Sequence, residues 1–149
     1  MYSKKMLGME ESQAAIAAMI AEFQKDPENP PAAFAVVDDT GLLLAYARTD
    51  GSRPIISKNA IKKAYTASLR GMTTETFFEE LNHRGWSVGD MGNPMLIAVP
   101  GGIPVIDPSD GAVLGGVGVA GLPPGPGDDI IAEMGVKATG FSPIPLKPG

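Results

Sequence analysis

The segment from Ala33 to Gly51, AFAVVDDTGLLLAYARTDG, constrains the fold more than any other part of the chain. Two apolar runs, Ala33 to Val37 and Leu42 to Arg48, flank the turn sequence Asp38-Asp39-Thr40-Gly41. Asp bonds to its own backbone in such turns and Gly accepts a positive φ, so the segment predicts a β-hairpin. Because both runs are apolar on both faces, we expect the hairpin to lie inside a sheet that helices cover.

The rest of the chain alternates helical and extended patterns around this hairpin. Apolar residues recur at three- and four-residue steps over Met6 to Lys25, which predicts an amphipathic helix. The later patterns predict helices over Lys58 to Arg70, Thr74 to His83 and Ile130 to Ala138, and strands over Met95 to Val99, Ile103 to Ile106 and Ala112 to Ala120. The expected N-caps of the three helices are Ser57, Thr73, and Asp128 or Asp129.

These elements predict one α+β domain over residues 1–140, built on a five-stranded, largely antiparallel sheet with helices packed on it. The last nine residues, FSPIPLKPG (Phe141 to Gly149), are rich in proline and predict a tail with polyproline character.

Composition excludes several classes of protein. The chain has no Cys, which removes disulfides, thiolate metal sites and a Cys nucleophile, and we expect no zinc. A net charge of -5 without a basic block disfavours binding to nucleic acid or to an anionic membrane. No run approaches the ~20 apolar residues that span a bilayer. We therefore expect a cytoplasmic protein.

The glycine-rich run Gly116 to Gly121 spells GxGxxG, the pattern of dinucleotide-binding loops. Here the run lies in a predicted strand and precedes Leu122-Pro123-Pro124 instead of a helix, so we expect no nucleotide. Glycines within a strand instead predict that another backbone or a ligand approaches closely.

Four motifs occur in a fixed order along the chain: VVDDTGLLLAYARTDG (Val36 to Gly51), AIKKAYTA (Ala60 to Ala67), PGGIPV (Pro100 to Val105) and GAVLGGVGVAG (Gly111 to Gly121). Through them the chain resembles the GlcG/HbpS family of haem-binding-type proteins, which also occurs as the C-terminal domain of PduO corrinoid adenosyltransferases. The resemblance covers roughly Met6 to Thr139.

This resemblance implies a profilin-like fold, a five-stranded antiparallel sheet flanked by helices. Members typically form homo-oligomers, and some bind haem or are thought to bind corrinoids. The resemblance therefore implies a small-ligand-binding protein that acts as a homo-oligomer and takes haem or a corrinoid-like tetrapyrrole.

The candidate ligand-binding residues lie mostly in loops. The loop from Trp86 to Pro94, WSVGDMGNP, offers a flat ring, a thioether and an amide, and the turn PGG offers backbone N–H groups at close approach. This mixture suits a flat, mostly apolar ligand, and it equally suits an oligomer contact. The full set of candidates is Arg48, Asp50, Tyr65, Trp86, Met91, Asn93, Gly101 and Gly102.

Members of the family that bind haem can use a His as the iron ligand, and His83 is the single His of this chain. Its polar context at a helix end favours an exposed residue that interacts with the helix dipole. Met91 or Tyr65 can ligate iron in principle.

Two other functions stay open. One is a metal-independent lyase or isomerase that acts on a small carboxylated metabolite at a subunit boundary, with Arg48 gripping the carboxylate and Tyr65 or Lys63 as acid or base. The residue patterns favour plainer roles, a turn-stabilising pair for Arg48 and Asp50 and a solvated Lys63. The other function is an accessory or structural subunit whose proline-rich tail docks on a partner.

Overall fold

The computed structural model describes residues 1–142 as one α+β domain. Its helices are α1 (Met9–Gln24), α2 (Pro54–Arg70), α3 (Thr74–Arg84) and α4 (Gly127–Ala138), and its strands are β1 (Ala33–Asp38), β2 (Leu43–Arg48), β3 (Gly102–Ile106) and β4 (Val113–Ala120). Within that part of the chain, no helix is both long enough and apolar enough to cross a membrane.

The four strands form one antiparallel sheet in the order β2-β1-β4-β3. Side chains alternate across β1, so Phe34 and Val36 pack with the α1 and α4 side chains on one face. The smaller Ala33, Ala35 and Val37 face α2. A small-residue face lets α2 approach the sheet closely, and this contact positions most of the residues discussed below.

The predicted hairpin is confirmed. The carboxylate of Asp38 accepts the Thr40 N–H at 2.8 Å and the Leu42 N–H at 3.1 Å, which closes the turn. The expectation that both strands lie inside the sheet is right for β1 and wrong for β2. Because β4 takes the other side of β1, β2 is left at the edge of the sheet, and Leu42 and Leu43 are 68% and 49% exposed.

The predicted fifth strand, Met95 to Val99, is wrong. Its N–H groups bond to side chains and turns instead of a strand: Ile97 donates to the Thr66 hydroxyl of α2 at 3.0 Å, and Met95 donates to Asn93 at 3.0 Å. The outer edge of β3 instead makes a short bridge, in which Ile106 and Ser142 exchange two backbone hydrogen bonds. Residues 143–149, which hold most of the predicted tail, lie outside the described residues.

Two predicted N-caps are wrong and one is confirmed. The Thr73 hydroxyl accepts the Thr76 N–H at 3.1 Å and caps α3. Helix α2 begins earlier than predicted, because Pro54 suits the first helical position, and Ser57 lies buried inside it. Helix α4 begins at Gly127, so Asp128 lies in its first turn and its carboxylate reaches elsewhere.

The glycines of β4 confirm the predicted close approach, and the neighbour is the backbone of α2. A Cβ on Gly118 would lie 2.1 Å from the Ala60 carbonyl oxygen, and one on Gly116 would lie 2.4 Å from that of Ala64. Since backbone atoms cannot move away as a flexible side chain can, only glycine fits at these positions. We call this contact between β4 and α2 the glycine seam.

Candidate functional site

An open groove runs between α3 and the segment that follows it. We call it the apolar groove. It has a volume of about 430 Å³ and is lined by Phe78, Leu81, Asn82, Trp86, Ser87, Val88, Leu96, Ile97, Ala98 and Val99. The rings of Phe78 and Trp86 are about half exposed. Large apolar side chains exposed together in a cleft are typical of binding surfaces.

The end of α3 places Trp86 in this groove. Gly85 adopts a positive φ of 70°, which ends the helix in a left-handed turn. The chain then folds back, and the Trp86 N–H donates to the Leu81 carbonyl at 3.0 Å. The indole therefore returns alongside the helix that it follows.

The opposite wall of the groove is fixed to α2. The Asn93 amide donates to the Tyr65 hydroxyl at 3.0 Å, and the Ile97 N–H bond to Thr66 holds the next part of the segment. The segment from Trp86 to Val99 is thus fixed to α3 at its start and to α2 near its end.

A basic edge borders the groove. The Arg84 guanidinium lies over the Trp86 ring, 5.4 Å from its centroid, and donates to Glu80 at 3.0 Å. Arg70 donates to the same carboxylate at 3.3 Å. A guanidinium with several donors can hold this partner and still receive a carboxylate from a ligand.

The described lining of the groove suits the flat ring of a haem, but it includes no side chain that commonly ligates haem iron. Its volume lies within the ~300–1,000 Å³ usual for ligand sites, and its described lining is apolar apart from Asn82, Ser87 and the indole N–H of Trp86. Its described lining residues include none of His, Met, Cys and Tyr, the common haem ligands. Met91 lies in a neighbouring cavity of about 80 Å³, and His83 is exposed.

A second cavity, of about 390 Å³, has Lys63 in its wall, and we call it the lysine pocket. Lys63 is buried, 3% exposed, so the interpretation of a solvated lysine is wrong. Its Nζ donates to the Val119 carbonyl at 2.9 Å and to the Asp128 carboxylate at 3.2 Å. Lys63 is buried because it lies on the face of α2 that the glycine seam presses onto β4 and β3.

The first turn of α4 supplies the carboxylates of this region. Burial raises the pKa of Asp128, and the Lys63 charge acts against that rise. Burial also raises the pKa of Asp129, and the charges of Glu75 and Asp128 raise it further, while the Gly101 N–H, donated at 2.9 Å, lowers it. One buried cation therefore faces more than one carboxylate. Among residues 1–142, no group of three or more His, Cys, Asp or Glu side chains could hold a metal ion.

The predicted site residues do not form one site. Trp86 lines the apolar groove, and Met91 lies in the small cavity that Trp86 also lines. Asn93 and Tyr65 bond to each other outside the lining of the groove. Gly101 and Gly102 are buried near Lys63, and a Cβ on Gly101 would lie 2.9 Å from its Nζ.

Arg48 and Asp50 are exposed at the end of β2 and line neither cavity. The predicted turn-stabilising roles, in which Asp50 bonds the backbone and Arg48 caps carbonyls or pairs locally, are wrong: within residues 1–142, neither side chain makes a hydrogen bond or an ion pair. Thr49 fastens this turn instead, since its hydroxyl accepts the Ala32 N–H at 2.9 Å.

Sequence reasoning missed Phe78 and the role of Asp128. The adjacent pair Phe77-Phe78 could have indicated an exposed ring, because neighbouring helical residues do not lie on one face. In the structure, Phe77 is buried and Phe78 lines the groove. Asp128 carried no comparable signal, because an Asp at a helix start has an ordinary capping role.

Comparison with known proteins places this fold. Residues 7–137 match the family model described as "Haem degrading protein HbpS-like". The chain belongs to the HbpS-like family. The GlcG protein of Escherichia coli (strain K12) is 37% identical over 120 residues, which cover 80% of this chain and 85% of GlcG. The predicted GlcG/HbpS resemblance is thus confirmed.

Solved structures of other proteins share this fold over nearly the whole chain. A double mutant of HbpS from Streptomyces reticuli superposes with a TM-score of 0.81 at 29% identity, covering 92% of this chain and 89% of that one. The PduOC:haem complex gives a TM-score of 0.79 at 20% identity, covering 93% and 98%. At that identity, the second likeness shows the fold alone.

Proposed function

We propose that this protein binds a planar tetrapyrrole in the apolar groove and holds it by its ring. The observation that carries the proposal is the pair of half-exposed rings, Phe78 and Trp86, lining one groove of about 430 Å³. Aromatic rings stack on a flat conjugated ligand and bury apolar area that water would otherwise cover.

Membership of the HbpS-like family supports this ligand class. The family is described as haem degrading, and one protein of the same fold has been solved as a haem complex. Haem is one ligand of this class, and a corrinoid-like ring is another. Because no common iron ligand lines the described groove, the ring and its carboxylates supply the binding energy in this proposal, and the iron does not.

Arg84 gives the ligand an orientation. It stacks on Trp86 at the groove edge, so a carboxylate-bearing ring would direct its carboxylates toward this guanidinium. The apolar side of the ring would then face Leu81, Ile97 and Val99.

The protein acts as a homo-oligomer in this proposal. Leu42, just before edge strand β2, and Leu43, at its start, are exposed, and an unpaired apolar edge is a common place for chains to associate. Light scattering on the purified protein tests this part, and a monomer at all concentrations would contradict it.

Trp86 is the residue to change first. We expect Trp86→Ala to weaken the binding of protoporphyrin IX by about tenfold, since the lost ring contact is worth about 1 kcal/mol and the lost apolar contact area adds to it. Trp86→Phe is the matched control, because it keeps a ring, and it should change the affinity far less. Soret absorbance follows both titrations without relying on tryptophan. Equal affinities for wild type, Trp86→Ala and Trp86→Phe would place the ligand elsewhere and refute the proposal.

The lyase or isomerase alternative stays a prediction. It requires Arg48 to act with Lys63 or Tyr65, and of these three residues only Lys63 lines the lysine pocket. The tail of the accessory-subunit alternative lies mostly in residues 143–149, outside the described part of the chain. A cytoplasmic location also stays a prediction.

A further inference from the structure

The lysine pocket is separate from the apolar groove, although Val99 lies on the wall of both. Its walls are mostly apolar, formed by Ile56, Val99 and the loop from Leu122 to Pro124. Its described lining includes the polar side chains of Lys63, Asn59 and Asp128. Such a lining, apolar with a few placed polar groups, is typical of a site for a small molecule.

Lys63 has a hydrogen-bond donor to spare. An ammonium carries three N–H groups, and two of them bond to Val119 and Asp128. Within residues 1–142, the third has no protein acceptor. Because Lys63 is 3% exposed and lines the pocket, a ligand oxygen there can accept this third bond.

Asp128 has acceptor capacity to spare. One of its oxygens accepts from the Leu122 N–H at 3.2 Å and the other from Lys63 at 3.2 Å. A carboxylate oxygen accepts two hydrogen bonds, so each can take another. The pocket thus presents a donor and an acceptor next to each other, 3.2 Å apart.

The charge around the pocket decides the class of ligand. Among the described residues, the charge of Asp129 interacts with those of Lys63, Asp128 and Glu75, and the charge of Asp128 interacts with that of Lys63. An anionic ligand would add a negative charge to a region that already holds an excess of them, at the low dielectric of a buried site. A neutral ligand avoids this cost.

We propose that the lysine pocket binds a small neutral molecule with a carbonyl oxygen and a hydroxyl on adjacent carbons, such as a hydroxyketone or hydroxyaldehyde. The carbonyl oxygen accepts from Lys63, and the hydroxyl donates to Asp128. Oxygens on adjacent carbons are spaced about as far apart as the two ends of this ion pair. No covalent bond forms: hydrogen bonds hold the two oxygens, and the short carbon chain packs against the apolar walls.

The test compares two ligands that share a three-carbon skeleton and differ in charge. Hydroxyacetone and lactate are each titrated into the full ¹⁵N-labelled chain, and backbone amide shifts are followed. We expect hydroxyacetone to move the amides of Gly101, Gly121 and Leu122 saturably, and lactate at equal concentration to leave them in place. The proposal is overturned if lactate shifts these amides as much as hydroxyacetone does. It is also overturned if hydroxyacetone produces no saturable shift, or shifts other amides instead.

Asn59 offers a variant that blocks the pocket without touching the buried ion pair. It is half-buried on α2, one turn before Lys63, and it lines the pocket. Asn59→Phe places a ring in the cavity, and we expect it to weaken hydroxyacetone at least about tenfold, while Asn59→Ala changes the affinity less than about threefold. Unchanged affinity in Asn59→Phe would overturn the proposal.

The same variants separate the two sites. Asn59→Phe should leave protoporphyrin IX binding unchanged, and Trp86→Ala should leave hydroxyacetone binding unchanged. A loss of hydroxyacetone binding in Trp86→Ala would show that the two cavities act as one site and would contradict the proposal of a separate pocket.

Discussion

The apolar groove and the lysine pocket lie side by side and are built in opposite ways. The groove is formed by one helix and the segment after it, with aromatic rings that stay half exposed. The pocket depends on the glycine seam and on three separate parts of the chain, which bury the Lys63 cation and partly bury the Asp128 carboxylate. Substitutions in a local, exposed site leave the fold stable, whereas substitutions in a pocket made by tertiary packing do not. We therefore expect substitutions in the groove to change ligand affinity and substitutions at the buried Lys63 to change the free energy of unfolding.

The largest expected effect comes from breaking the buried ion pair. Lys63→Ala leaves the partly buried Asp128 carboxylate without its cation, and we expect the free energy of unfolding to fall by about 3 kcal/mol. Urea unfolding measures this loss. Lys58→Ala, on the exposed side of the same helix, is the matched control and should change the free energy of unfolding by less than about 0.5 kcal/mol. If the two variants behave alike, Lys63 is not buried as the structure has it.

The next effect tests the glycine seam that carries the pocket. A Cβ at position 118 would meet the Ala60 carbonyl at 2.1 Å and the Ala64 nitrogen at 2.5 Å, so Gly118→Ala must push α2 away from β4. We expect a loss of about 2 kcal/mol or more in the free energy of unfolding.

Gly89→Ala is the control on the groove side of the molecule. Its Cβ would meet the nearest atom, the Ser87 hydroxyl, at 3.6 Å, an ordinary contact, so this variant should unfold close to wild type. A Gly118→Ala protein as stable as Gly89→Ala would mean that the seam is not tight.

The smallest effect is a difference in acid stability between the carboxylates of the lysine pocket and the Asp107 carboxylate, which lies outside it. Hydrogen bonds from Lys5 and the Ser109 hydroxyl lower the pKa of Asp107 from 3.8 to about 2. A lowered pKa adds stability above pH 3.8 that is lost as the pH falls through about 2. Asp128 and Asp129 have raised pKa values, so protonating them on acidification stabilises the fold.

Asp107→Asn separates the loss of stability that comes from protonating Asp107 from the gain that comes from protonating Asp128 and Asp129. Compared with wild type, the variant should lose less unfolding free energy between about pH 4 and pH 2, because it no longer has the Asp107 carboxylate to protonate. Unfolding in urea at a series of pH values measures this, and a variant that loses as much as wild type over that range would contradict the role given to Asp107. Since Lys5 is more than half exposed, added salt should shrink the difference.

The sequence could predict the parts of the fold that local chemistry decides. The Asp38 turn and the Thr73 cap each follow from residues a few positions apart, and both are confirmed. Met95 to Val99 has the apolar pattern of a strand, yet a hydroxyl on α2 captures its backbone. No local pattern contains that information, because Thr66 is about thirty residues away in the sequence.

The same limit applied to the two cavities. Trp86 could be singled out from its own loop, because an aromatic ring among glycines and polar residues stands out. Lys63 sits in a run with Lys58 and Lys62, and only the packing of α2 on β4 shows which of the three is buried. Its partner Asp128 lies at a distant helix start, so the pair is visible only in three dimensions.

The central claim, that the groove holds a ring and not an iron, has one direct test. Haemin and iron-free protoporphyrin IX are titrated into wild type, His83→Ala and Met91→Ala, with the Soret band as the readout. We expect the two ligands to bind wild type with affinities within about threefold of each other, and neither substitution to change them by more than that. Haemin binding at least about tenfold tighter than protoporphyrin IX, and weakened by either substitution, would show axial ligation and contradict the claim.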